Sequence, residues 1–363
     1  MKRLIPLILV LTMLLSGCGW MHGSYVSVTP HEEHTRTGQD GVVSASSYIQ
    51  LRGALEDMIR SGRESVVINV ADFDPGQLER CIDMAVRYVK GSFPIGAYAV
   101  EDIHYEMGDS SGKPAIAVSV SYLRSYMEIR KIHQVADMKE AMTVLSQTLD
   151  SHDSGVVLLV EDYEKTDFTQ WVESYCQDHP DRVMELPQVA VGIYPKEGPS
   201  RVVEVQLTYQ NSRESLRQMQ EQVEKLFTSA DMYVTQDASD NMKYAQLYTF
   251  LMERFDYKLD TSITPAYSLL RYGVGDSRAF ATVYAAMCRR VGLECQVVAG
   301  TKAGEPWFWN IVCDDGLHFH VDLLRGNYRG MLDGEMGGYV WDYSGYPACD
   351  QTPDRTENPE NDG

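Results

Sequence analysis

The sequence predicts an α/β chain of the α+β kind, in which two related small units precede a third of different pattern. Three observations predict it. A stretch of about 90 residues recurs: Ser65-Val66-Val67-Ile68-Asn69-Val70 with Asp72-Phe73 returns as Gly155-Val156-Val157-Leu158-Leu159-Val160 with Asp162-Tyr163. Within each copy, period-2 apolar alternation, the mark of a half-buried strand, changes places with amphipathic helical spacing. Beyond residue 237 the repeat stops, and helical patterns are followed by a run of short strand patterns. The period is too long for a solenoid, so each copy reads as a small domain with its own layered core.

The elements follow in order. Residues 1–18 begin with Lys2 and Arg3, continue through an apolar run from Leu4 to Leu15, and close on Leu15-Ser16-Gly17-Cys18. The run has the length of a signal h-region and is too short to span a bilayer. The ending resembles a lipoprotein processing box, which implies lipid on Cys18, Cys18 as the first mature residue, and an extracytoplasmic protein held to the membrane by acyl chains. Residues 19–46, rich in Gly, Ser, Thr and His, read as a flexible tether with a coil dimension of about 30 Å.

The first copy spans 47–135. It is read as a helix near Tyr48 to Arg60, the first strand, a helix from Gln77 to Lys90, strands near Ala97 to Glu106 and Ala115 to Tyr122, and a closing helix near Ser125 to Gln134. The second spans 136–230, with a helix near Met138 to Leu149, the strand, a helix from Phe168 to His179, strands near Gln188 to Tyr194 and Arg201 to Tyr209, and a helix from Ser212 to Phe227. The unit is thus α-β-α-β-β, twice. Neither copy carries a catalytic motif, so both read as structural or binding modules. The third unit, 237–347, has a helix near Asn241 to Phe255, a loop from Asp260 to Pro265, a helix opening at Asp276-Ser277, and strands joined through Asp314-Asp315-Gly316, a hairpin-turn signal. Residues 350–363 are polar and read as a disordered tail.

The formal charge is −20, and loss of Lys2 and Arg3 would make it two charges more negative. That excludes nucleic acid, whose phosphates need Lys and Arg clusters, and docking on anionic lipid heads through a basic patch. Beyond Cys18 there are six cysteines: Cys81, Cys176, Cys288, Cys295, Cys313 and Cys349. None forms a CxxC pair. Cys81, Cys176, Cys288 and Cys295 are read as core, and pairing of Cys313 with Cys349 is left open. No phosphate loop or dinucleotide fingerprint is present, so no cofactor is expected.

The third unit carries the chemical signal. Asp276-Ser277-Arg278-Ala279-Phe280-Ala281 precedes Met287-Cys288-Arg289-Arg290-Val291-Gly292-Leu293-Glu294-Cys295-Gln296-Val297-Val298-Ala299-Gly300, then Trp307-Phe308-Trp309-Asn310-Ile311-Val312, then His318-Phe319-His320-Val321-Asp322. This succession resembles the transglutaminase-like domain, a papain-type fold, whose pattern reads G-[DV]-C-x-x-[FY]-A, L-C-R-x-x-G-[IL]-x-C-x-V-V-x-G, H-x-W-N-x-V and [WY]-H-V-D. The match covers roughly residues 241–325, about a quarter of the chain. The resemblance implies a Cys-His-Asp triad. Ser277 stands at the cysteine position and Trp307 at the histidine position; Asp322 matches the acid.

Such sites use a thiolate stabilised at a helix start, an imidazole that moves the proton, and an acid that sets the imidazole tautomer. A serine hydroxyl is not ionised near neutral pH and needs a base. The indole N–H of Trp307 donates only. Ser277 therefore reads first as a helix cap shared with Asp276. Trp307 and Trp309 share one strand face and Phe308 the other; Trp307 either plugs the former cleft or offers a stacking surface to a sugar or peptide. His318, His320 and Asp322 alternate on one strand. They read as a polar cluster around the acid, as a rewired base (His320 or His318) for Ser277, or as a His-x-His-x-Asp metal set. Tyr339, Trp341, Tyr343 and Tyr346 either cover a sheet edge or line the cleft. The expectation is a membrane-anchored binding or scaffold protein of the cell envelope with an inactive enzyme-like domain that holds a peptide or glycan. The alternative is an active acyltransferase or hydrolase using Ser277, His320 or His318, and Asp322.

Overall fold

The computed structural model describes residues 43–258 and 265–350. The signal-like segment with Cys18, most of the expected tether, residues 259–264 and the tail from 351 lie outside the described residues.

The first unit contains β1 (Val43–Ser44), α1 (Tyr48–Arg60), β2 (Ser65–Asn69), α2 (Pro75–Gly91), α3 (Pro94–Ala99), β3 (Val100–Ser110) and β4 (Lys113–Tyr122). Its sheet has the order β1-β2-β4-β3, parallel between β1 and β2 and antiparallel elsewhere. After α4 (Tyr126–Arg130), the second unit repeats the plan with β5 (His133–Asp137), α5 (Met138–Asp150), β6 (Gly155–Asp162), α6 (Phe168–Asp178), β7 (Gln188–Tyr194) and β8 (Arg201–Thr208), in the order β5-β6-β8-β7. The repeat is therefore real, but each copy opens with an edge strand that the sequence reading missed. The predicted closing helix of the first copy stops at Arg130. Its Ser125–Glu128 capping box starts it, but His133 to Asp137 alternates around the one buried residue Val135 and pairs with β6 instead. The strand predicted from Ala97 likewise begins at Val100, because Pro94, which favours a first helical turn, opens α3.

The two sheets differ on the face away from their own helices. In the first unit Val67 is 46% exposed, and Ser65, Ala117 and Ser119 beside it are exposed. In the second, Val157, Leu159 and the fully buried Val202 pack against the core of the first unit. The Tyr98 and Tyr194 rings meet edge-on at 5.6 Å, and Arg124 pairs with Glu204 at 2.8 Å. On this face Asn69 and its partner Ala115 in the first copy stand where the second has Leu159 and Val202, so the second face is the more apolar.

The third unit contains α7 (Arg213–Tyr233), α8 (Asp240–Met252), β9 (Asp256–Tyr257), α9 (Pro265–Tyr272), β10 (Val274–Gly275), α10 (Ser277–Arg290), β11 (Cys295–Lys302), β12 (Glu305–Asp314), β13 (Leu317–Val321) and β14 (Tyr339–Trp341). The last four strands form an antiparallel sheet in the order β13-β12-β11-β14. The predicted hairpin turn is present: Asp315 and Gly316 have φ of 50° and 78°, as a two-residue turn of that hand requires. Every residue of α10 from Ala279 to Cys288 is buried, as expected of a helix apolar on all sides. Its last turn is tied outward by Arg290 to Glu224 and Asp231 of α7, at 2.8 and 2.9 Å, and by Arg289 to the Asp178 carbonyl at the end of α6.

Candidate functional site

The site is set by the start of α10 and by three strands. Asp276 caps the helix alone: its Oδ1 accepts the Ala279 N–H at 2.9 Å. Ser277, expected to share that role, is the first helical residue, is 6% exposed, and its Oγ accepts the Phe308 N–H at 3.2 Å. The physical reason lies in the sheet. β13 ends with the Asn310–Val321 pair, so the ladder leaves the N–H at Phe308 without a strand partner, and the hydroxyl takes it.

Past Val321 the chain leaves the sheet, and Asp322 caps a short turn over Leu323–Arg325, its Oδ1 accepting the Leu324 N–H at 3.0 Å. The Oδ2 atom accepts three bonds: from Trp307 Nε1 at 3.2 Å, from Lys302 Nζ at 2.8 Å, and from the Tyr339 hydroxyl at 2.6 Å. The indole N–H thus points at the acid from the position where the resemblance places an imidazole. The Asp322 side chain is 1% exposed, so this carboxylate is a buried charge balanced by Lys302, whose side chain is 33% exposed. Burial works against the Lys302 charge, but the bonds to Asp322 and Tyr339 outweigh it and hold its pKa above the usual lysine value. Burial, and then the bond to Asp322, push the Tyr339 hydroxyl up as well. The Lys302 ammonium lies 4.6 Å from the centre of the Trp307 ring, and Tyr257 packs beside it at 5.8 Å. Trp307 is thus bonded at its edge to Asp322 and covered by a cation on one face.

Sequence reasoning missed Lys302. It lies on β11 opposite Tyr339 of β14, and Gly300 lies opposite Trp307. Period-2 alternation puts Gly300 and Lys302 on one face, but only the register across three strands shows that this is the face of Trp307 and Trp309.

His320 is fully buried and points elsewhere. Its Nδ1 takes the Trp309 indole N–H at 2.9 Å, and its Nε2 faces Asp333 Oδ1 at 2.8 Å. An indole can only donate, so Nδ1 is the acceptor and the ring proton sits on Nε2, directed at Asp333. Burial lowers the His320 pKa, and the Asp333 carboxylate only partly offsets it. His320 therefore has no lone pair to offer Ser277. It is also three residues of β12 away, since it pairs with Ile311 while Ser277 meets Phe308; that is about 10 Å of strand. His318 pairs with Cys313, about 17 Å along. The rewired base is corrected on these grounds.

The His318, His320 and Asp322 metal set is corrected too, because Asp322 turns to Lys302 while His320 turns to Asp333. Among the described residues, the group whose ligand atoms do converge, within 4.8 Å, is His320, Asp333 and Cys349. The proton on Nε2 occupies the lone pair a metal would need there. Cys313 and Cys349 are both free thiols. Tyr339 and Trp341 belong to the core under the sheet, packed edge-on to Trp309 at 5.3 and 5.6 Å, while Tyr343 is 63% exposed.

On the other side of the helix start is a cavity of about 230 Å³, lined by Cys176, Val183 and Leu186 of the second unit's chain and by Tyr267, Arg278 and Thr282 beside Ser277.

The family model of the transglutaminase-like superfamily matches residues 228–329. No curated protein matches the chain. Among solved structures it is similar to a TGase at 13% identity, over 67% of this chain and 69% of that one, with a TM-score of 0.27. It is similar to a "putative cysteine protease" from Cytophaga hutchinsonii at 14% identity, over 38% of this chain and 62% of that one, with a TM-score of 0.25. A "putative protease" from Parabacteroides distasonis ATCC 8503 is 10% identical, over 70% of this chain and 39% of that one, with a TM-score of 0.22. Residues 228–329, which contain Ser277, Trp307 and Asp322, form a transglutaminase-like domain.

Proposed function

We propose that the protein is a lipid-anchored, extracytoplasmic binding or scaffold protein of the cell envelope whose transglutaminase-like domain does no acyl-transfer chemistry. The observation that carries this is the occupancy of the acid. Asp322 Oδ2, the atom that would orient an imidazole, is taken up by Trp307, Lys302 and Tyr339. The Ser277 hydroxyl, meanwhile, is engaged with a backbone N–H instead of a base. Without a base a serine hydroxyl is a poor nucleophile, and loss of a nucleophile or base removes on the order of 10⁶ in rate from a well-studied protease. The ligand is a peptide or glycan held in the cavity that Tyr267 lines with Arg278 and Thr282 of α10. The anchor is lipid on Cys18; no helix among the described residues is long and apolar enough to cross a membrane.

Two measurements test the reading. Purified full chain is incubated with a glutamine-containing peptide and a primary amine, and with the peptide alone. No product is expected, and turnover that disappears in Ser277→Ala overturns the inactive assignment. Metabolic labelling with palmitate tests the anchor: label lost in Cys18→Ser is expected, and an unlabelled parent chain overturns it.

A further inference from the structure

We infer that Cys288 and Cys295 form a redox-active pair that closes into a disulfide, with Cys295 as the entry thiol and Cys288 as the resolving one. The helix end brings them together. Gly292, at φ 79°, donates its N–H to the Arg289 carbonyl, and Leu293 donates to the Cys288 carbonyl at 2.9 Å. This is a Schellman ending, and it turns the chain straight back so that β11 starts beneath the last turn of α10. The Cys288 thiol is fully buried in the core around α10, and the Cys295 side chain packs against that same core.

Strand parity selects the partner. Cys295 pairs with Val312 and so shares its side, and Val312 belongs to the core around α10. Cys313 is one residue along β12 and faces the opposite side, the side of Trp309 and Ile311. Cys349 lies in that opposite core, and Cys81 and Cys176 belong to the other units.

The two thiols differ in access. Cys295 is part-buried and lines a cavity of about 310 Å³ with Thr282, Ala285, Arg289 and Tyr346. Cys288 has no exposure, and burial raises its pKa well above the usual thiol value. The order of events follows. The Cys295 thiolate attacks a disulfide oxidant such as oxidised glutathione, forming a mixed disulfide and expelling one glutathione thiolate. Cys288 then gives up its proton and attacks Cys295 Sγ, expelling the second glutathione. Two S–H bonds are lost and one S–S bond forms, and the oxidant leaves as two thiols carrying both electrons and both protons. The inference does not depend on the proposed function or location, because both the protein and the oxidant are supplied in the test.

The test uses the full chain, reduced, folded, and equilibrated with oxidised and reduced glutathione at graded ratios. It is then acid-quenched, alkylated under denaturing conditions and mapped by mass spectrometry. A Cys288–Cys295 cross-linked peptide lighter by two hydrogens is expected, with the other described cysteines alkylated. In Cys288→Ser the reaction should halt at a glutathione adduct on Cys295. In Cys295→Ala, which changes the more exposed partner and spares the buried one, Cys288 should stay unmodified, with near-UV circular dichroism confirming the fold. Full alkylation of both cysteines at a ratio that oxidises a control vicinal dithiol overturns the inference, as does a bridge from Cys295 to Cys313.

Discussion

At the residue scale, the informative atom is Asp322 Oδ2. A buried carboxylate survives only if its charge and lone pairs are matched. Here one cation and two neutral donors match them, all from side chains of the sheet. Replacing Lys302 by Met should cost about 1–3 kcal/mol in urea denaturation, less than a fully buried pair because the ammonium is part-exposed. A loss near zero would mean that Trp307 and Tyr339 hold the charge by themselves. The same lysine bears on reactivation. An imidazole introduced by Trp307→His would stand beside the Lys302 ammonium, which disfavours its own charged form. The Ser277→Cys, Trp307→His double variant should therefore gain little hydrolytic activity until Lys302 is also made neutral, a ranking that single-turnover assays on the two variants decide. His320 supplies a pH signature. Its folded pKa is below the ordinary 6.5, so the unfolded chain binds the proton first, and stability that is complete above that pH is lost as pH falls through it. His152, which burial also lowers, adds in the same direction. Denaturation midpoints should drop between pH 7.5 and 5.5, and His320→Gln should flatten part of that drop.

At the element scale, the start of α10 separates two jobs that the sequence reading merged. Asp276→Ala removes the cap and should cost about 1 kcal/mol. Ser277→Ala should cost a similar amount, about 1 kcal/mol, for a different reason, since it orphans the Phe308 N–H. The two residues adjoin at one helix start, so the losses should couple; a double-mutant cycle with an interaction energy near zero would contradict that. The other sensitive point is Gly300, where β14 crosses β11. A Cβ there would come within 2.4 Å of the Val340 carbonyl and 2.7 Å of the Trp309 ring. Gly300→Ala should detach β14 and expose Tyr339 and Trp341, which amide exchange at residues 339–341 reports.

At the scale of the whole molecule, the first two units are copies that fold alike yet are not interchangeable. The dry face of the second sheet is buried under the first unit, and Leu159 is central to it. Leu159→Asp should undock the units without unfolding either. Calorimetry should then show a new, separate transition, and proteolysis should find the α4 to β5 segment; a single broadened transition would instead mean that they unfold together. The third unit is tied to the second through α6, Arg289 and the cavity between them, so the site helix is braced from outside its own domain.

The sequence by itself determined the α/β class, the duplication, the hairpin turn at Asp315-Gly316 and the places of Ser277, Trp307 and Asp322, because period, turn chemistry and motif spacing are local properties. It did not reveal the edge strands β1 and β5, whose few residues are held by pairing and not by propensity. Only the tertiary structure decided what those site residues touch. Lys302 reaches Asp322 through a register across three strands, and Trp309 locks the tautomer of His320 from a neighbouring strand. Such contacts join residues far apart in the chain, and no local pattern records which partner a buried polar atom will find.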